Sequence, residues 1–187
     1  MTRLLILGLA CCLVASAQAL ELELTQRYSL NRPASLDYDP AFCGLWIANE
    51  GPEAILATLD GLELRRIGSD LYRIKAISLE GDTLIVADGG GSFQRLTKDG
   101  TALGEPFRIE GGWADTEGIA VGGDGTLLAT APLMDYGIDA EGIAIRPGSN
   151  QLFIAFDQGA AIAAFDYTPT LPEGHDPPPP AADCVMF

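Results

Sequence analysis

Ser35-Leu36-Asp37-Tyr38-Asp39, Ala76-Ile77-Ser78-Leu79-Glu80, Gly118-Ile119-Ala120-Val121-Gly122 and Gly142-Ile143-Ala144-Ile145-Arg146 occupy one recurring slot of this sequence. A turn follows each. A second apolar run then begins at Leu45-Trp46-Ile47-Ala48, Leu84-Ile85-Val86-Ala87, Leu127-Leu128-Ala129-Thr130 or Leu152-Phe153-Ile154-Ala155. The equivalent positions Leu36, Ile77, Ile119 and Ile143 lie 41, 42 and 24 residues apart. Self-similarity with a period near 40 residues marks an array of β-repeats.

Each repeat reads as a sheet. Its runs of Ile, Leu, Val, Phe and Trp are short, are divided by Asp-Gly, Gly-Asp or Pro-Gly signals, and show no sustained apolar period of about 3.6 residues. Repeats one and two each add a third strand, Ala54 to Thr58 or Phe93 to Thr97. An Asp-Gly turn follows at Asp60-Gly61 or Asp99-Gly100, and an outer strand ends near Ile67 or Ile109. Four strands per repeat is the unit of a β-propeller blade. The expected fold is therefore all-β, a propeller-type array of about four blade repeats. The third repeat is truncated, with Ala131 to Asp139 as a short connection; the fourth keeps a third strand, Ala161 to Asp166, before Pro-rich sequence begins. Closed propellers use about four blades or more, so three arrangements stay open: an unusually small closed ring, an array closed by pairing with another copy, and a shortened derivative of a larger one.

Composition narrows the function classes. The chain has 187 residues, 26 Asp plus Glu against 11 Lys plus Arg, and a formal net charge of -15. Such a surface repels polyanions, which argues against nucleic acid as a partner. Met1 to Ala19 reads as a secretory signal peptide: Arg3, an apolar run from Leu4 to Ala15, and a small-x-small pattern at Ala17-Gln18-Ala19. That run is too short to span a bilayer, so no transmembrane segment is expected once the signal is cleaved, and the expected location is secreted or periplasmic. The repeat domain is then residues 20–167, followed by a Pro-rich tail, 168–187, whose four consecutive prolines cannot form a central strand. Cys43 and Cys184 are left to form one disulfide or to stay as two buried thiols. His175, inside the tail, reads as a solvated loop residue. Trp46, Trp113, Phe93, Phe153 and Phe165 read as core between blades.

In a propeller the first strand of each blade lines the central channel, so residues beside its start and at the end of the second strand surround one mouth. Glu117 and Glu141 share one such slot, which Lys75 fills in repeat two. Asn49, Glu50, Asp88 and Asp157 end second strands. Converged, Asn49, Glu50, Asp88, Glu117, Glu141 and Asp157 would form a ring of carboxylate and amide oxygens. Such a ring suits a hard cation, with Ca2+ favoured over Mg2+ because irregular ligand geometry is tolerated. The competing reading is turn chemistry alone: the acid caps a turn and the Gly after it supplies a positive φ. Gly89-Gly90-Gly91 has the same two readings, close approach of a ligand or a plain hairpin loop.

Ala114-Asp115-Thr116-Glu117-Gly118-Ile119-Ala120-Val121 and its echo Asp139-Ala140-Glu141-Gly142-Ile143-Ala144-Ile145 resemble blade openings of the phytase-like propellers, a group described as having phytase-type esterase-like activity. Residues 34–96 also resemble the related SdiA-regulated exported propellers, through Ser35-Leu36-Asp37-Tyr38-Asp39-Pro40 and Ile85-Val86-Ala87-Asp88. The resemblance implies calcium-assisted hydrolysis of a phosphate or carboxylic ester, a small anionic ester as ligand, and catalytic roles for Glu117, Glu141 and Lys75. Arg73, Lys75 and Arg95 would hold the leaving anion. The competing class is a non-catalytic exported propeller that binds a cation, a small ligand or an envelope protein partner, the last by strand addition at an unpaired blade edge. No Gly-x-Ser-x-Gly elbow is present, which disfavours serine-esterase chemistry.

Overall fold

The computed structural model describes residues 22–108 and 139–167, together with the backbone of 18–19 and 129–130. Glu117, Trp113, His175, Cys184, most of the leader and the Pro-rich tail lie outside the described residues. In chain order the strands are β1 (Gln18–Ala19), β2 (Leu22–Ser29), β3 (Ser35–Asp39), β4 (Gly44–Ala48), β5 (Glu53–Thr58), β6 (Glu63–Gly68), β7 (Ala76–Glu80), β8 (Thr83–Ala87), β9 (Ser92–Thr97), β10 (Phe107–Arg108), β11 (Ala129–Thr130), β12 (Ala140–Arg146), β13 (Gln151–Phe156) and β14 (Ala161–Tyr167). They form three antiparallel four-stranded sheets, β3-β4-β5-β6, β7-β8-β9-β10 and β12-β13-β14-β2, and a short parallel pair, β1-β11.

These sheets are the blades of a propeller-type array. The inner strands stand side by side, β12 against β3 and β3 against β7, so repeat four packs on repeat one. Repeats one and two superpose in detail. Thr58 Oγ1 donates to Asp60 and accepts from the Leu62 amide, and Thr97 Oγ1 makes the same pair of bonds with Asp99 and the Thr101 amide. The two inner strands are joined at the repeat period. Ser78 Oγ donates to Asp37 Oδ2 at 2.9 Å, and the Leu79 amide donates to the same oxygen at 2.8 Å.

Burial on both faces explains why second strands read as continuous apolar runs rather than alternating ones. In β4, Leu45 and Ile47 point toward the last blade and meet Phe153, Ile162 and Leu36. Trp46 and Ala48 point the other way and meet Leu71, Ile74, Ile77 and Leu84. Trp46, Phe153 and Phe165 are fully buried and Phe93 nearly so, as expected of core between blades. Each such side chain contributes about 1.5–3 kcal/mol relative to exposure. Trp46 also carries a polar tip, and its Nε1 donates to the buried Asp39 at 2.9 Å. Lys98 reaches the same carboxylate at 3.0 Å.

Two features depart from the sequence expectation. The last blade has a fourth strand, supplied by β2, which pairs antiparallel with β14 from Ala161↔Ser29 to Tyr167↔Leu22. Residues 22–29 alternate only weakly, and no local signal names a partner more than a hundred residues away. Second, Ile143 and Ile145 on the inner strand β12 are exposed by 59% and 51%, whereas Leu36 and Ile77, which align with Ile143, and Tyr38, which aligns with Ile145, are buried. The neighbours Gly142 and Ala144 take the face toward β3, which leaves the two isoleucines on the face pointing away from it.

Candidate functional site

The three blades turn the same end upward. Ser35 pairs with Ala48, Ala76 with Ala87 and Gly142 with Ala155. The loops that leave β4, β8 and β13 therefore share one rim with the segments that enter β3, β7 and β12. This rim holds Asn49, Glu50, Lys75, Asp88, Glu141 and Asp157, whereas Arg95 lies mid-strand in β9 and pairs with Glu80 at the far end of β7.

Within the last blade three carboxylates converge. Single oxygens of Asp139, Glu141 and Asp157 all lie within 4.8 Å of one another. Local backbone produces this. Asp139 sits at φ 64°, just before β12, and its carbonyl accepts from the Asp157 amide at 3.1 Å. The ladder with β13 then slips between Ala140 and Gly142, so Glu141 is the extra residue of a bulge, a device that re-aims a side chain. Gln158 Nε2 donates to Asp139 Oδ2 at 3.3 Å. Glu141 also lines a cavity of about 230 Å³ walled by Ala140, Gly142, Ile143 and Ile154.

The remaining candidates carry other partners. Glu50, at φ 55°, is gripped by two cations: Arg32 pairs with its Oε2, and Lys75 Nζ stands 3.5 Å from its Oε1. Glu50 and Lys75 are both nearly buried there. Asn49 Oδ1 accepts from the Gly51 amide at 3.3 Å. Asp88 turns back on its own loop and accepts from the amides of Gly90 at 2.6 Å and Ser92 at 3.0 Å. Arg73 Nε donates to the Asp88 carbonyl at 2.9 Å, and Arg95 forms a two-bond pair with Glu80.

The Asp88 carboxyl has an electrostatic signature. Partial burial pushes its pKa up, but the Ser92 and Gly90 amides and the nearby Arg108 charge outweigh that, and it titrates below the ordinary aspartate value. A depressed folded-state pKa means the carboxylate stabilises the fold above the unfolded value of about 3.9, and that contribution is lost as pH falls through the folded value. Asp88→Asn is expected to lower stability at neutral pH and to flatten the acid limb of the stability curve below about pH 4, so that the variant and the parent converge in acid. Urea unfolding across that pH range checks this, and an unchanged acid limb would count against it.

Sequence reasoning placed Glu141 and Asp157 among six residues of one ring and missed Asp139. The signal was present: Asp-x-Glu-Gly-Ile-Ala occurs twice, at Asp115–Ala120 and Asp139–Ala144.

No known family model matches the chain, and no curated protein is similar to it. Among solved structures, the chain is similar to the glutaminyl cyclase of Myxococcus xanthus, at 11% identity over 82% of this chain and 100% of that one, with a TM-score of 0.44. It is also similar to the Cps50 (Swd1) β-propeller domain of Myceliophteria thermophila, at 12% identity over 73% of this chain and 36% of that one, with a TM-score of 0.39. A third is U3-55K, at 15% identity over 74% of this chain and 37% of that one, with a TM-score of 0.37. The chain thus spans about a third of the length of the latter two.

Proposed function

We propose that this protein is an exported propeller-type domain that binds a divalent cation, Ca2+ by preference, at Asp139, Glu141 and Asp157. The observation that carries the reading is the convergence of three carboxylates on a bulge at the rim of one blade. The donor set fits a hard cation: it is all oxygen and carries enough negative charge to offset the ion's dehydration. Bound there, the ion would supply positive charge and open positions for an oxygen ligand, and the adjoining apolar cavity would admit a small organic group. Export is supported by Cys43, which is disulfide-bonded, a state that persists in oxidising compartments.

Binding is favoured over the ester hydrolysis that the phytase-like resemblance implies. Lys75 and Arg95, two of the three cations that would hold a leaving anion, are each paired with a carboxylate, Glu50 and Glu80. Phosphate-rich substrates need several cations free to converge.

Calorimetric titration with Ca2+ and with Mg2+ tests the cation site. At a hundredfold excess over the dissociation constant, Ca2+ is expected to stabilise the fold by about 2.7 kcal/mol. Glu141→Gln and Asp157→Asn should each weaken binding at least about tenfold. Absence of Ca2+ heat, or full binding by the double variant, rejects the site. Turnover of nitrophenyl phosphate or nitrophenyl acetate that is lost both with chelator and in Glu141→Gln would favour hydrolysis instead.

A further inference from the structure

We infer that β2 is an exchangeable strand, and that two copies of this chain form a dimer in which each seats its Leu22–Ser29 strand on the Ala161–Tyr167 edge of the other. Three observations carry this.

First, β2 is a separable arm. Six of its eight residues are exposed, and it is held to the last blade by its ladder with β14. Three further bonds help: Thr25 Oγ1 to the Ala164 carbonyl at 3.1 Å, Arg27 Nη2 to the Gly159 carbonyl at 3.5 Å and the Leu30 amide to the Ala160 carbonyl at 2.9 Å, and Arg27 also lies over the Phe156 ring while Tyr28 and Leu30 pack on the core. All of these bonds can be made in the same geometry by the equivalent strand of a second copy, so the ladder itself does not choose between the two arrangements.

Second, the connection from β2 to β3 is strained when closed. Arg32 is at φ 49°, a left-handed conformation unfavourable for a side chain with a Cβ. The next residue is Pro33, which drives the residue before it toward an extended backbone. An opened connection that runs straight to another molecule satisfies both preferences. Short hinges under strain are what invite strand exchange.

Third, the strained residue is latched. The Arg32 guanidinium pairs with the nearly buried Glu50, so the side chain holds the backbone in the conformation it disfavours. Removing the latch while keeping the strain shifts the balance toward exchange. Relieving the strain shifts it back.

The test uses the full-length chain. Arg32→Ala and Arg32→Gly both lose the latch, and only alanine keeps the left-handed penalty. After refolding at high concentration, the dimer-to-monomer ratio by size exclusion with light scattering should be at least roughly fivefold higher for Arg32→Ala than for Arg32→Gly. In a second arm, one population carries Ser29→Cys and another Ala161→Cys, the two positions being direct partners across the ladder. Co-refolding the two should give a covalent mixed dimer, because Ala161 is buried and only a strand from the other copy can reach it. Equal dimer ratios for the two Arg32 variants overturn the proposal. So does a mixture that yields no covalent product beyond that of either population alone.

Discussion

Asp39→Ala lowers the free energy of unfolding by roughly 3–5 kcal/mol, the cost of breaking a buried ion pair from one side. Asp39 is fully buried and its two oxygens serve three donors. The Trp46 indole donates at 2.9 Å, the Ala41 amide at 2.9 Å, and Lys98 Nζ lies 3.0 Å away. Truncation strands an ammonium that is only 16% exposed, leaves the indole N–H without its acceptor and opens a void beneath a fully buried tryptophan. Asp39→Asn should cost less, since an amide oxygen still accepts from Trp46 while the charge is gone. The decisive comparison is Asp39→Ala combined with Lys98→Met. If the stranded charge dominates, the double variant recovers a large part of the loss, giving a coupling energy well above the roughly 0.5 kcal/mol expected of independent sites. Guanidinium unfolding with an unchanged slope measures it; strictly additive losses would show that packing, not charge, governs the position.

Gly142→Ala is expected to destabilise by about 3 kcal/mol, at the upper end of what overpacking costs. A Cβ there would stand 2.8 Å from the Ser35 Cα and 2.9 Å from the Ala34 carbonyl oxygen. Both are backbone atoms of the adjoining blade, which no rotamer change can move aside. The last blade must then back away from the first along the line where β12 meets β3. Glu141 is the preceding residue, so cation affinity should fall with stability. Gly81→Ala is the control. Its φ is left-handed, at 65°, as that of Gly142 is not, and nothing lies within 4 Å of an added Cβ. It should cost only about 1 kcal/mol, from the backbone alone. For a domain of this size, about 3 kcal/mol corresponds to a fall in Tm of roughly 6–12 °C. A melting curve for Gly142→Ala no lower than that of Gly81→Ala would mean the blades are not in contact at Gly142.

Strand identity and order within repeats one and two were legible because each element carries its own local signal. The Asp60-Gly61 and Asp99-Gly100 turns fix where β5 and β9 end. The double-sided burial of Trp46 and Ile47 is written as an uninterrupted apolar run. What pairs with what across a long interval was not legible: β2 has only its polar alternation to show, and its edge partner is specified by the shape of the completed blade. The sequence reading set Glu141 and Asp157 in one ring with Asn49, Glu50, Asp88 and Glu117; of the five described, the structure brings Glu141 and Asp157 together, with Asp139. The carboxyl partners of individual acids were not legible. Glu50 and Asp88 look alike in sequence, each closing a second strand. One is neutralised by Arg32 and Lys75, and the other is absorbed by its own loop amides. Those outcomes depend on cations and turns brought in by other strands.

The union of β2 with β14 also bears on how the molecule is made. Synthesis delivers the Leu22–Ser29 segment near the start of the domain and the Ala161–Tyr167 segment at its end, so only one of the final sheet's four strands exists until the last repeat is translated. Early compaction around a finished last module is thereby denied, and acquisition of the native state is a late, slow event.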